Sequence, residues 1–252
     1  MNDLVPTILT SFATTMATKG AEGPAQTFNN LWKYVFGPVD TFFVNRIEKR
    51  NQNNTAYAKS ITDKVSTIPK EDLQEPQISI LGPGLEASKF YIDEAILREM
   101  FSKLLASSFD RQQNDFVHHS FIEIIKQLSP IDAENFKIIS EYETSFPIVN
   151  YSIRFENGKV APYKEFIFLG NPNGLNVDSQ GASIVNLQRL GLITVDFSKS
   201  LSDKTHYAFL ENNNLVDELK EQLEPSSGKT LKIEQGIIEI TPFGTNFRRV
   251  CL

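Results

Sequence analysis

Between Ile80 and Pro130 the apolar residues return at helical spacing. Leu97, Met100, Phe101, Leu104 and Leu105 stand at i, i+3, i+4, i+7 and i+8, with Arg98, Glu99, Ser102 and Lys103 turned away from that stripe. Phe121, Ile124, Ile125 and Leu128 repeat the rule, and Ser129-Pro130 closes the run because proline cannot continue a helix. The pattern predicts two helices of one bundle joined by a polar loop over Asp110–Asp115. Upstream of them, Ile78–Leu81 followed by Gly82-Pro83-Gly84 reads as a turn feeding the pair.

Nearer the N-terminus, Val5–Thr18 reads as a helix with Pro6 in its first turn, where the missing N–H does no harm. Ile8, Phe12 and Met16 form an apolar stripe on it, whereas Thr7, Thr10, Ser11, Thr14, Thr15 and Thr18 supply hydroxyls and no charge. Threonine is a mediocre helix former in water, so propensity does not explain the choice. A second helix over Ala25–Phe36 carries Phe28, Leu31, Trp32 and Val35, and Gly37-Pro38 starts a third. That helix presents Val39, Phe43, Ile47, Tyr57, Ile61, Val65 and Ile68 around a polar waist at Glu48–Asn54, where it projects, bends or breaks. Residues 1–128 are therefore expected to be all-helical, with low-charge helices over 1–45 and the central pair over 80–128.

After Ser129 the grammar changes. Ser129 as N-cap, Pro130 at N1 and Asp132 at N3 predict a helix with Phe136 and Ile139 facing inward, ending near Phe146-Pro147. Short β-branched and aromatic runs over Ile148–Phe155 and Tyr163–Leu169 predict strands, broken at Asn157-Gly158 and at Asn171–Gly174. Ser183–Gly191 reads as a helix stopping at glycine and passing into the strand LITVDF; Leu215–Leu223 reads as a short helix. Leu231–Ile240, Thr241–Gly244 and the FRRV run would then be late strands. Leu187 and Leu190 are expected to pack on Phe136 and Ile139. The passage from helix to strand resembles the recognition helix and wing of winged-helix domains. The expected fold class is mainly α, an N-terminal helical bundle region followed by a small α+β winged-helix-like domain at 129–252.

The words LGPGLEASKFYIDE, LREMFSKLLASS and VHHSFIEIIKQLSPIDA resemble the abortive-infection alpha family, a bacterial domain associated with phage defence, and the likeness extends back through GPAQTFNNLWKYVFGPVD. The resemblance implies a setting and brings no catalytic signature with it.

Charge narrows the chemistry. With 252 residues and a net charge of −6, the chain has no global positive field to draw it onto nucleic acid or an anionic membrane. Arg189 is the only cation on the candidate recognition helix, which speaks against sequence-specific DNA binding. Cys251 is the single cysteine, so no internal disulfide or cysteine-rich zinc site is expected. Adjacent His118 and His119 point to different faces and do not make a metal site, and no cofactor motif is present. No signal peptide and no uninterrupted apolar span are expected. Arg111 and His118 give an R-x(6)-H spacing that resembles helical ribonucleases of bacterial defence, in which histidine would move a proton and arginine would stabilise phosphoryl charge.

From Leu4 to Asn45 the only charges are Lys19, Glu22, Lys33 and Asp40. Ile8, Phe12, Met16, Phe28 and Trp32 are either core residues of a bundle or contacts to a second copy or to lipid, with Thr7, Thr10, Ser11, Thr14 and Thr18 lining a lumen in the latter case. The expectation is a non-catalytic defence effector in the bacterial cytoplasm that forms a homo-oligomer and perturbs the inner membrane when triggered. A neighbouring operon-encoded sensor protein or its nucleotide signal is a candidate partner, and sequence-specific DNA is not expected to be one. The ribonuclease and a sensor or interaction module are the alternatives.

Overall fold

In the computed structural model, residues 4–37, 47–142, 145–174, 176–223 and 228–252 are described. They fall into two compact units. One holds the residues up to Pro130 together with Asn246–Leu252; the other holds Ile131–Thr245. The first is built from helices, and the second combines helices with a small antiparallel sheet.

The first unit is built from α1 (Leu4–Thr18), α2 (Glu22–Phe36), α3 (Ile47–Thr67), α4 (Ile78–Ser88), α5 (Ala95–Ser107) and α6 (Ser120–Gln127). The stripe predicted on α5 is the buried one: Leu97, Met100, Phe101, Leu104 and Leu105 lie in the core. Phe121, Ile124 and Ile125 do the same on α6. An aromatic chain ties the early helices together. Phe12 meets Phe28 edge-on at 5.6 Å, Trp32 stacks on Phe36 at 4.3 Å, and Tyr57 of α3 lies 5.7 Å from Trp32.

One expectation changes here. The Gly82-Pro83-Gly84 segment is not a turn; it lies within α4. Its glycine serves close packing, since a Cβ on Gly84 would stand 2.5 Å from Leu105 Cδ2. Of the alternatives open at the polar waist of α3, the break does not occur. The helix runs on through Asn51–Asn54, and Asn53 is used as a bridge, donating to Asp93 Oδ1 at 2.7 Å and accepting from Arg98 at 3.1 Å. The predicted start of this helix, with Val39 and Phe43, lies outside the described residues.

In the second unit α7 (Pro130–Glu141) begins at the proline its sequence indicated. Strands β1 (Phe146–Arg154) and β2 (Val160–Ile167) form a hairpin around Gly158, whose φ of 78° suits a residue without Cβ. The ladder slips after Val149, and Asn150 repairs the bulge by accepting the Phe166 N–H at 2.9 Å. Then follow α8 (Val177–Arg189), β3 (Ile193–Asp196), α9 (Ala208–Glu211), α10 (Asn214–Gln222), β4 (Thr230–Ile240) and the start of α11 (Pro242–Cys251), whose residues from Asn246 onward belong to the first unit. All pairings are antiparallel in the order β2-β1-β4-β3, with Val149 opposite Gln235 and Ile193 opposite Ile240.

One face of the sheet packs Val149, Tyr151 and Ile167 against Tyr207, Leu210, Val216 and Leu219. Two tyrosines pin that layer: Tyr151 Oη donates to the Leu210 carbonyl, and Tyr207 Oη donates to the Gly236 carbonyl at 2.9 Å. Helix α8 packs on β2 and β3, close enough that a Cβ on Gly181 would stand 3.2 Å from the Glu165 carbonyl.

The helix α8 starts earlier than the sequence suggested, because Asn176 caps it by accepting from the N–H groups of Asp178 and Ser179. The C-terminal FRRV run is likewise helix rather than strand. Thr241 is its cap, its Oγ1 accepting the Gly244 N–H at 2.8 Å, with Pro242 at N1. Phe247, Val250 and Cys251 then fall on a buried helical face.

Candidate functional site

The residues singled out on α1 divide between two faces. Phe12 and Met16 are buried in the first unit, as are Phe28 and Trp32 of α2, while Ile8 is half-buried. Their own bundle therefore covers Phe12, Met16, Phe28 and Trp32 in this state, and the free energy of removing them from water, about 1.5–3 kcal/mol each, is already realised without lipid or a second copy.

Thr7, Thr10, Ser11, Thr14 and Thr18 stand on the other face and are all exposed, and five α1 hydroxyl residues line one open surface with Pro6. The helix carries no charged residue. Several of the hydroxyls are turned inward: Thr10 Oγ1 donates to the Pro6 carbonyl at 2.9 Å, Thr14 to the Thr10 carbonyl at 3.0 Å and Thr18 to the Thr15 carbonyl at 2.7 Å. Each such threonine satisfies its proton within its own helix. The result is a polar-looking sequence whose outer surface costs little to desolvate.

Arg111 lies exposed on a 3-10 turn, Arg111–Gln113, capped by Asp110. His118 is exposed too, and its Nδ1 is within hydrogen-bonding distance of Ser120 Oγ at 2.7 Å, at the start of α6. His119 pairs instead with Ser79 at 2.9 Å. The adjacent histidines thus serve different local contacts. Among the described residues, no group of three or more His, Cys, Asp or Glu stands where it could hold a metal ion.

The second unit contains a buried polar seam that the sequence did not reveal. Asn135 of α7 donates to Ser183 of α8 at 3.0 Å and accepts from Asn171 at 2.8 Å, and Asn171 also reaches Glu134. Asn186 donates to Asp132 at 3.0 Å. Gln180 donates to the carbonyls of Gly174 and Asn171, with its Oε1 buried and unpartnered. Asn135, Asn171, Gln180 and Ser183 are almost wholly buried, so the seam fixes how α7, α8 and the loop before α8 fit together. The bonds that tie α7 to Asn171 and to α8 join residues 36 to 54 positions apart, which no local pattern marks.

Fold and surface define a mainly helical protein with an uncharged, self-bonded helix face and a compact sheet-containing unit. The chain belongs to the abortive infection alpha family, whose model matches residues 49–251. The match runs through the whole second unit and begins after α1 and α2, so the α1 face is a feature outside the part shared with the family model. Neither a curated protein nor a solved structure matches the chain.

Proposed function

We propose that this abortive-infection protein acts without catalysis, assembling through the uncharged face of α1 and, once assembled, perturbing the inner membrane of the cell. The observation that carries the reading is that face: a 15-residue helix with no charge, whose exposed threonines bond back to their own backbone. A helix that stays in water normally carries Lys and Glu on its outer side, as α3 does with Lys59 and Asp63. No described helix is long and apolar enough to cross a membrane, so the action is assigned to several copies together at the bilayer surface rather than to one spanning segment.

The second unit is read as a winged-helix-like module used for protein contact. Three features support this: α8 runs directly into β3, the strands adjoin in the order β1-β4-β3, and α7 and α8 are bonded side by side. Arg189, the only cation of α8, is engaged by Asn186 of its own helix, which supports a protein rather than a DNA partner.

The test is Thr14→Lys. Thr14 is exposed, so the change leaves the core untouched and should shift stability by no more than about 0.5 kcal/mol. It is expected to abolish self-association in light scattering, dye release from anionic vesicles and killing in cells. Wild-type protein that stays monomeric at every concentration and releases no dye overturns the proposal; assembly without dye release overturns its membrane step.

A further inference from the structure

Away from α1, the first unit has a cleft of about 210 Å³ ringed by Lys64, Lys103 and Arg249, with Thr67, Ser107 and Gln113 among its walls and Asp110 as its one acid. The three cations come from α3, α5 and α11, and among the lining residues they outnumber acids three to one in a chain whose net charge is −6.

Each cation is held differently. Arg249 stacks over the Phe116 ring at 3.5 Å and donates its Nε–H to Gln113 Oε1 at 2.9 Å. That grip fixes the guanidinium plane and leaves both terminal nitrogens, the fork that reads an oxyanion in two parallel hydrogen bonds. Lys64 is anchored to Glu99 and to Ser60 Oγ. Lys103 is half-buried, and its ammonium makes no hydrogen bond or ion pair among the described residues. Burial is the main influence that lowers its pKa; Cys251 and Glu99 oppose that shift, and Lys64 and Arg248 add to it. A half-buried ammonium near other cations and not ion-paired to either nearby carboxylate is an unfavourable arrangement that a bound anion would relieve.

We propose that this cleft binds the phosphoryl group of a small phosphorylated ligand. The volume is below the roughly 300 Å³ at which pockets begin to enclose drug-sized molecules, so the cleft takes the phosphoryl end and leaves the remainder in solvent. Nothing in this assignment depends on α1, and Thr14→Lys should leave it intact.

The experiment is calorimetric titration of the full chain with inorganic phosphate and pyrophosphate, at ionic strength matched with potassium chloride. Saturable binding is expected. Hydrogen bonds to charged groups contribute about 1.5–3 kcal/mol, so Arg249→Lys, which keeps the charge and loses the fork, should weaken binding about 10- to 100-fold. Lys103→Met, which keeps the aliphatic stem, should weaken it comparably, and Asp110→Asn, which can still cap its turn, should strengthen it. Circular dichroism of each variant separates lost binding from lost folding, and Lys103→Met serves if the Arg249 variant fails to fold. Absence of saturable binding, or binding unchanged in both folded cation variants, overturns the proposal. So does a single-stranded oligoribonucleotide that binds with this variant dependence while pyrophosphate does not.

Discussion

Replacing Phe28 with alanine tests whether the early helices belong to the bundle core. Phe28 is fully buried and touches three aromatic rings, Phe12 at 5.6 Å, Trp32 at 5.8 Å and Phe109 at 6.2 Å. Truncating a buried phenylalanine costs about 3–5 kcal/mol through lost burial and the cavity left behind. Three ring contacts place Phe28 toward the upper end, because each aromatic pair adds about 0.5–1.5 kcal/mol beyond its area. Total stabilities run at about 5–15 kcal/mol, so the variant should lose a large part of its margin. At roughly 2–4 °C per kcal/mol for a chain of this size, its Tm should fall by about 6–20 °C. The assay is urea unfolding followed by tryptophan emission. Trp32 is the only tryptophan and is buried against Phe28 and Phe36, so it reports the site itself. A loss below about 1 kcal/mol, or native Trp32 emission typical of water, would refute the packing of α2 described above.

Two glycines differ in what surrounds them. A Cβ on Gly244 would stand 2.0 Å from the Leu192 carbonyl oxygen, which is backbone and cannot step aside, so Gly244→Ala should cost about 2–3 kcal/mol in urea unfolding. Gly84→Ala meets only a Leu105 methyl and recovers about 1 kcal/mol of helix propensity, so its loss in the same assay should be smaller. Asn135→Ala deprives Asn171 and Ser183 of a buried partner and should destabilise the second unit by about 1–3 kcal/mol, read as loss of amide-exchange protection in α7 and α8. At Glu99 burial favours the neutral form, but hydrogen bonds from Lys64 and Ser60 outweigh it and hold the carboxyl below its ordinary value. A folded-state pKa that is depressed gives stability above the unfolded pKa, lost as pH falls through the folded one. Glu99→Gln should therefore be less stable than wild type near neutral pH, with the difference closing in acid urea titrations.

The structure also shows where local pattern is enough to fix an element. The stripe Leu97–Leu105 became the buried side of α5 because an apolar face at 3.6-residue period has one way to leave water. Ser129-Pro130 started α7 for a backbone reason equally local, the proline ring sitting where no N–H is needed. The same grammar stands at Thr241-Pro242, but the β-branched run before it makes the FRRV segment read as a continuing strand; Phe247, Val250 and Cys251 at helical spacing were the available signal. The charge-free character of α1 was legible as well, and its family was legible in the LGPGLEASKFYIDE and LREMFSKLLASS words.

Other features exist only through contacts distant in sequence. Gly84 looks like a turn residue until Leu105 is placed 2.5 Å from its missing Cβ. The ends of α1 could be read from its residues, but not that Phe12 and Met16 would be covered by Phe28 and its neighbours while the threonines stayed outside. The Asn135, Asn171 and Ser183 seam and the Lys64, Lys103 and Arg249 cleft join residues separated by dozens of positions or more. Periodicity and capping are properties of a few consecutive residues and so are written locally. The partner of a buried amide or the counter-charge of a half-buried lysine is chosen by packing, which the tertiary structure alone decides.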